Sequence, residues 1–334
     1  MDVRPVRPTD APLVLALVLD AGSHLVRSCA WSEDKPTTQS ILRAIIPMPA
    51  MGRSWIARHE NSIALLEARP RQYVIGWDVT RLVVRGNPDY VLPAVVAAAK
   101  EHLQSRGVPR LFARVSSDSH ELLLQIGFTP LAREYILLSA ATDSQEDVPL
   151  PAESRYRMPQ DAWPLHQLEQ ELTPALVRQI EGLTSMDWVQ NGRQRSDIVV
   201  EIDGKIAAWI GWMRKPRQGF YQMGMMIHPD YPDLGPDLLR YALRSLPPGS
   251  RCAARVREYQ TEALRTFTDA GFSIEAEDTL MVKHAGLELA REPKGLRRVV
   301  GVPSMQVFHN RMGTLGPPFA PVANEQSPFE DGRL

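Results

Sequence analysis

The chain has 334 residues, a length that suggests two domains of about 150 residues each. Its 38 lysines and arginines nearly balance 39 aspartates and glutamates, so no basic excess is available for general nucleic-acid binding. The two cysteines, Cys29 and Cys252, form neither a disulfide framework nor a metal-binding pattern, and no metal is expected. The apolar run over 11–19 contains Pro12 and lacks a cleavage site, which predicts a cytoplasmic protein without a membrane partner.

The first half of the chain alternates runs typical of strands and helices. Apolar residues that alternate, or that recur at helical spacing, indicate each element, and Asn87-Pro88 predicts a helix start. The predicted strands cover 2–7, 54–59, 63–68, 73–84, 110–115 and 135–138, and the predicted helices cover 10–21, 38–46, 88–106 and 119–126.

The second half repeats this order. The predicted strands cover 155–158, 198–202, 206–212, 220–227, 252–257 and 279–282, and the predicted helices cover 161–172, 174–186, 236–246 and 261–270. A mixed order of this kind predicts an α/β fold with helices on both faces of a sheet.

Self-comparison indicates a duplication. The segment Arg110–Val115 (RLFARV) matches Arg251–Val256 (RCAARV), and Gly127-Phe128 matches Gly271-Phe272 at an offset of 144 residues. An acidic, proline-containing segment lies between the two copies and has the composition of a linker. We therefore predict domains at 1–141 and 154–284, a linker at 142–153 and an extension at 285–334, which contains the apolar run 295–303 and then becomes extended or disordered.

Three stretches carry a resemblance to a known family. They are the opening Val3–Ala11, the strand end His228-Pro229-Asp230-Tyr231, and the helix and strand around each Gly-Phe pair. In this order, twice over, they resemble the GNAT acetyltransferase superfamily. The resemblance implies two tandem GNAT-like domains, each with a mixed, mostly antiparallel sheet, a V-shaped splay between central parallel strands, and helices on both faces.

The resemblance also implies a cofactor, acetyl-coenzyme A or another acyl-CoA. In the family its pyrophosphate lies at a helix N-terminus, where free N–H groups and the helix dipole favour an anion. Of the family's loop residues the second half keeps Gly235, whereas Val91 and Pro93 stand at the corresponding positions of the first half. We therefore expect the second half to bind the cofactor and the first to be degenerate. The alternative is that each of these loops only caps a structural helix and binds no ligand. The implied cofactor-binding residues are Met225, Met226, Ile227, Leu234, Gly235, Pro236 and Asp237.

Acyl transfer to an amine needs a proton acceptor and a proton donor. The tyrosine that often serves as the family's acid corresponds to Leu123 and Phe267, which have no proton to give, and Tyr259 is a conceivable substitute. The candidates for catalysis are Asp78, Glu201, Tyr221 and His228. The candidates for an acceptor pocket, with core packing or solvated charge as the alternative, are Trp31, Trp55, Trp188, Trp209, Trp212, Arg43, Arg53, Arg58 and Arg193.

The sequence thus predicts an acyl-CoA-dependent N-acyltransferase that acts on the amine of a small molecule or peptide, as a monomer or homodimer. The alternatives are a non-catalytic binding or interaction protein and a coenzyme A-responsive sensor, because fold alone does not decide between these functions.

Overall fold

The computed structural model describes residues 1–19, 24–27, 52–71, 76–139, 149–190, 196–215 and 220–286. Residues Met1–Glu288 form one compact unit, and Leu289–Leu334 form a second unit that lies outside the described residues. Several sequence predictions also lie outside them, namely those for the helix over 38–46, most of the linker, the C-terminal extension, Cys29, Trp31, Arg43 and Arg193.

The first half follows the predicted order of elements. It contains β1 (Asp2–Pro5), α1 (Ala11–Leu19), β2 (His24–Arg27), β3 (Arg53–His59), β4 (Ser62–Pro70), β5 (Trp77–Arg85), α2 (Pro88–Gln104), β6 (Arg110–Ser116), α3 (Ser117–Gln125) and β7 (Thr129–Leu138). The sequence did not predict β2, and it predicted only the apolar end of β7.

The second half contains β8 (Ser154–Tyr156), α4 (Ala162–Leu172), α5 (Ala175–Glu181), α6 (Ser185–Gln190), β9 (Ser196–Ile202), β10 (Lys205–Lys215), β11 (Phe220–Ile227), α7 (Leu234–Arg244), β12 (Arg251–Arg257), α8 (Thr261–Asp269) and β13 (Ser273–His284). The single helix predicted over 174–186 is wrong. Gly182 adopts a left-handed conformation with φ of +61° and ends α5, so the segment forms two short helices.

All strands of the described residues belong to one mixed sheet of 13 strands. Its order is β1-β3-β4-β5-β6-β13-β7-β12-β11-β10-β9-β8, with β2 paired to β5. Within that sheet the parallel pairs are β5–β6 and β11–β12, one in each half, and the other pairs are antiparallel. The predicted α/β fold with a mixed, mostly antiparallel sheet is confirmed.

The closing strands of the two halves are exchanged. The last strand of the second half, β13, lies between β6 and β7, while β7 lies between β13 and β12. Glu134 of β7 pairs with Asp278 of β13, which is the same offset of 144 residues that relates the two Gly-Phe pairs. A local two-fold axis that relates the two copies therefore passes between these two residues.

Helices cover both faces of the sheet in each half, as predicted. In the first half, α1 packs through Leu17 on Ile56 and its neighbours, whereas α2 packs on the opposite face through Val95. In the second half, α7 and α8 cover one face and α4 and α6 cover the other, where Trp188 contacts the apolar cluster that contains Met226.

Each half opens with the same ion pair. Arg4 donates two hydrogen bonds to Asp10 at 2.7 and 2.8 Å, and Arg155 donates two to Asp161 at 2.7 and 2.9 Å. Both aspartates also accept a backbone N–H at the entry to the first helix. Two-point pairing of this kind fixes orientation as well as distance, so the same joint is preserved in both copies.

Candidate functional site

Each half contains two parallel strands that pair briefly and then separate. In the first half β5 and β6 pair only at Trp77–Leu111 and Asp78–Phe112. In the second half β11 and β12 pair from Phe220–Arg251 to Met223–Ala254, and no pairing follows. The V-shaped splay is thus present twice. In the second half the facing backbone groups beyond the splay point have no ladder partner on that side among the described residues and are available to a ligand. In the first half β2 pairs with β5 beyond that point, at Arg81–Val83.

The β11 residues implied as cofactor-binding flank the second splay. The side chains of Met225 and Ile227 are buried in the cluster under α7 and α8, and that of Met226 is buried on the opposite face. Their side chains therefore pack in the core, and only their backbone can face a ligand between the strands.

The N-terminus of α7 follows this splay and is not capped by the side chain of Asp233. Gly235 is buried there, and a Cβ atom at this position would lie 2.4 Å from Thr266 Oγ1 and 2.6 Å from Ile227 Cδ1. The glycine therefore permits close packing of α7 against α8 and β11, whether or not a ligand binds. Asp237 is 61% exposed and accepts a hydrogen bond from Arg240 at 2.7 Å.

The corresponding helix of the first half begins differently. The side chain of Asn87 accepts a hydrogen bond from the backbone N–H of Asp89 at 2.9 Å and so caps α2. Val91 is buried in the core, and Pro93 lies inside the helix. A group at this N-terminus would have to compete with an existing side-chain acceptor.

His228 lies at the end of β11, where the second splay is widest. Its Nδ1 accepts a hydrogen bond from the backbone N–H of Asp230 at 3.2 Å, and its Nε2 lies 3.5 Å from Glu171 Oε2 in the last turn of α4. The last turn of α4 therefore crosses the open end of this splay. We call the open end of the V the mouth of the second splay. His228 lies on its β11 side, Tyr259 on its β12 side, and the last turn of α4 crosses it.

Tyr259 lies on the other side of the mouth, just after β12. Its hydroxyl accepts a hydrogen bond from Arg257 at 2.7 Å and contacts the side chain of Thr173, which follows α4. Burial raises the pKa of Tyr259, although Arg257 opposes the shift. The conceivable proton donor of the sequence analysis thus lies at the mouth.

Glu169 is a residue of this region that sequence reasoning missed. Trp188 Nε1 donates a hydrogen bond to Glu169 Oε2 at 2.9 Å, and among the described residues none donates to Oε1. Burial raises the pKa of this carboxyl group. The available signal was its position, because Glu169 lies in the same helical stripe as Leu165, Leu168 and Leu172 and so puts a charge on an apolar face.

Asp78 belongs to a closed ring of six alternating charges at the centre of the sheet. In order around the ring the members are Arg71, Asp78, Arg114, Glu134, Arg257 and Glu181, with successive separations of 2.7, 3.8, 2.7, 3.4, 2.5 and 3.3 Å. The first four come from the first half and the last two from the second. Burial alone would raise the pKa of Glu134, but Arg114, Arg257 and Arg255 outweigh it and lower the value to about 2.

The remaining candidates lie apart from the mouth. Glu201 is on β9 near the outer edge of the sheet and is paired with Arg155 at 2.8 Å. Tyr221 lies in the paired part of β11 and packs towards the α7 and α8 cluster. The structure thus brings His228 to the mouth of the second splay but not Glu201, Tyr221 or Asp78.

The candidate pocket residues are mostly core residues. Trp55, Trp188, Trp209 and Trp212 are all buried. Trp188 packs edge-on against Trp209 with ring centroids 5.0 Å apart, and it donates a hydrogen bond at the mouth. Arg58 lies on β3, 3.7 Å from Asp10, and Arg53 lies at the start of the same strand.

Within the described ranges, no group of three or more metal-ligating side chains comes together. None of the helices described is both long and apolar enough to cross a membrane.

Solved structures share this architecture. A tandem GNAT protein from the clavulanic acid biosynthesis pathway aligns with a TM-score of 0.51 and 15% identity, over 85% of this chain and 98% of that chain. A GCN5-related N-acetyltransferase from Sphaerobacter thermophilus aligns with a TM-score of 0.53 and 16% identity, over 85% of this chain and 95% of that chain. No protein-family model and no curated protein matches the sequence. Likeness at such identities concerns the fold, and this chain has the tandem GNAT acetyltransferase fold.

Proposed function

We propose that this protein is an acyl-CoA-dependent N-acyltransferase, with acetyl-CoA as the simplest donor and the amine of a small molecule or peptide as acceptor. The observation that supports this most directly is the second splay, which leads into a helix without a side-chain cap. We place the cofactor there and not in the first half, because Asn87 already occupies the N-terminus of α2.

The residues of the second half suit the parts of an acyl-CoA. The backbone of Met225, Met226 and Ile227 is paired with β10 but not with β12, and its open edge would hold the extended arm, as an added strand would be held. The N-terminal turn of α7, from Leu234 to Asp237, would receive the pyrophosphate mainly through the N–H groups of Leu234 and Gly235, since Pro236 has none. These two groups make only long hydrogen bonds, of 3.3 and 3.4 Å, to the carbonyl groups of Tyr231 and Pro232. Asp237 is the unfavourable member, and its ion pair with Arg240 offsets part of its charge.

The bound cofactor would supply an acyl group activated as a thioester. The chain's own residues would then orient the acceptor at the mouth and move its protons. His228, Glu171 and Tyr259 surround this opening. Hydrogen-bonding groups at such an opening can exchange protons with a bound amine, which gives the region the minimum equipment for acyl transfer.

Isothermal titration with acetyl-CoA tests the proposal, and Asp237→Asn sharpens it. We expect binding by the wild type and about two- to fivefold tighter binding by the variant at low salt, because a negative charge near the pyrophosphate is removed. Asp203→Asn, in the exposed turn between β9 and β10, is the matched control and should leave the affinity unchanged. Gly235 is a poor site for this test because any side chain there collides with Thr266.

The proposal fails if the wild type gives no heat at millimolar acetyl-CoA. The position proposed for the pyrophosphate, at the N-terminus of α7, is contradicted if Asp237→Asn and Asp203→Asn bind acetyl-CoA with the same affinity.

A coenzyme A-responsive binding protein is the second candidate. It is favoured by the ring of charges, in which the carboxylates of Asp78 and Glu181 are both paired with Arg71. This alternative predicts acetyl-CoA binding without release of free coenzyme A when primary amines are added.

A further inference from the structure

We propose that Glu169 of α4 is the group that accepts the proton of the acceptor amine. The inference rests on the proposed acyl transfer and deepens it. One oxygen of the carboxylate is held by the indole N–H of Trp188, whereas the other accepts no hydrogen bond from the described residues. The side chain is 24% exposed, so the second oxygen is within reach of a small ligand.

Trp188 ties this carboxylate to the splay. Its ring is buried in the same apolar cluster as Met226, a β11 residue beyond the last position that pairs with β12. Trp188 is in turn fixed by an edge-on contact with Trp209 of β10. The hydrogen bond from this rigid indole therefore sets the orientation of Glu169 relative to the strand that would carry the acyl group.

Glu169 also reaches the other side of the mouth. The backbone carbonyl of Glu169 accepts a hydrogen bond from the Thr173 hydroxyl at 2.6 Å, and Thr173 contacts Tyr259 beyond β12. The carboxylate thus lies on the helical turn that spans from one strand of the splay to the other. An amine bound beside it would lie next to the open end of the V.

The charges around Glu169 leave its proton affinity high. Arg257 is a cation that attracts a negative charge on Glu169, but it is already paired with Glu181. Glu181 and Asp187 repel a negative charge on Glu169, and burial opposes that charge further, so the pKa is raised. His166 Nδ1 lies 3.8 Å from Oε2, but burial lowers the pKa of that imidazole and favours its neutral form.

The other candidates are less suited to this role. His228 already accepts a hydrogen bond through Nδ1 and points Nε2 at Glu171. Asp78 is held by Arg71, and Glu201 by Arg155. Glu169 combines a fixed orientation, a free oxygen and a raised affinity for protons.

The proton balance is simple. The acceptor arrives as an ammonium ion, and Glu169 removes one proton and later releases it to water. The free amine attacks the thioester carbonyl, so that a C–N bond forms and the C–S bond breaks. The nitrogen loses a second proton, which goes to the departing thiolate, and the products are an amide and free coenzyme A.

The experiment compares the wild type with Glu169→Gln and with Glu121→Gln, an exposed control on α3 in the first half. Acetyl-CoA binding is measured by titration, and coenzyme A release is measured with 1,3-diaminopropane, ethanolamine and lysine amide as probes. We expect Glu169→Gln to bind acetyl-CoA as the wild type does but to release coenzyme A about 10²- to 10⁴-fold more slowly at neutral pH.

The pH profile separates catalysis from a structural defect. The deficit of Glu169→Gln should shrink as pH rises towards the pKa of the amine, about 10, because the free amine then needs no proton acceptor. A deficit that is constant with pH, or a rate equal to that of the wild type, would overturn the role of Glu169. Acetyl-CoA binding without amine-dependent release by the wild type would overturn it too.

A second measurement does not depend on turnover. The indole N–H resonance of Trp188 should titrate with a midpoint above the ordinary glutamate value, and it should not titrate in Glu169→Gln. A midpoint at or below the ordinary value overturns the assignment of Glu169. Failure of the wild type to bind acetyl-CoA is a different result, which overturns the proposed function itself.

Discussion

The two halves share a splayed sheet but differ in what stands at its open end. In the first half, Asp78 at the splay is engaged by Arg71, and Asn87 caps the following helix. In the second half, the helix begins without a side-chain cap, and the mouth contains a carboxylate with an unengaged oxygen, that of Glu169. The comparison teaches that both copies have kept the fold, whereas in the first copy the polar side chains near the splay are engaged by other groups of the protein.

The largest expected effect is on the free energy of unfolding, and it compares the buried carboxylates of Glu134 and Asp278, which lie at equivalent positions of the two halves. Glu134 is 1% exposed and faces Arg114, Arg255 and Arg257, whereas its counterpart Asp278 forms one ion pair within the described ranges, with Arg255 at 3.7 Å. Glu134→Gln should lower the free energy of unfolding by about 3–5 kcal/mol, because three arginines lose their buried partner. Asp278→Asn should lower it much less, because burial and the nearby Glu134 already oppose a negative charge at this position. Denaturant titration of both variants measures the difference, and equal losses would contradict this account.

The pH dependence of stability should differ in sign between the same two residues. The pKa of Glu134 is lowered from 4.5 to about 2, so the folded state gains stability above pH 4.5 and loses it as pH falls towards 2. This contribution is about 3 kcal/mol and should be missing in Glu134→Gln.

Burial raises the pKa of Asp278, so this residue makes the folded state less stable as pH rises through its titration. Asp278→Asn should remove that opposite slope. Unfolding measured from pH 2 to 7 checks both signs, and identical profiles for the two variants would refute the assignment.

The smallest expected effect compares the two helix N-termini. Asn87→Ala should lower the free energy of unfolding by about 1 kcal/mol, because it removes the acceptor for the Asp89 N–H. Asp233→Ala removes no side-chain cap bond and should change stability by less than about 0.5 kcal/mol. If thermal or denaturant unfolding gives equal losses, the distinction between a capped and an uncapped helix is wrong.

Much of the fold could be predicted because local patterns carry it. Alternating runs located most strands, and β11 has the predicted bounds of Phe220 and Ile227. The break between α5 and α6 was missed because Gly182 lies within an otherwise helical pattern. The early parts of β7 and β13 were missed because they are more polar. In the antiparallel pairing each of them lies opposite the apolar end of the other strand, as at Ser273–Leu138 and Thr129–Val282.

The candidate site was harder to predict, because it depends on contacts between distant elements. The resemblance located the second splay, and His228 lies at its mouth. The partners of Glu169 and Arg257 come from separate helices, so no spacing in the sequence connects them. Gly235 was expected to serve a ligand, but close packing against Thr266 of α8 also requires a residue without a side chain at this position.

The exchange of β7 and β13 also determines when the first half can be completed during synthesis. Among the described strands, β7 pairs only with β12 and β13, both of which are made much later, and β6 has β5 as its one neighbour until β13 is made. The nascent amino-terminal half therefore leaves the ribosome with an unfinished sheet edge and a closing strand without a place. Such long-range pairing slows folding and exposes strand edges to aggregation, so the sheet of the first half is completed only after β13 has been synthesised.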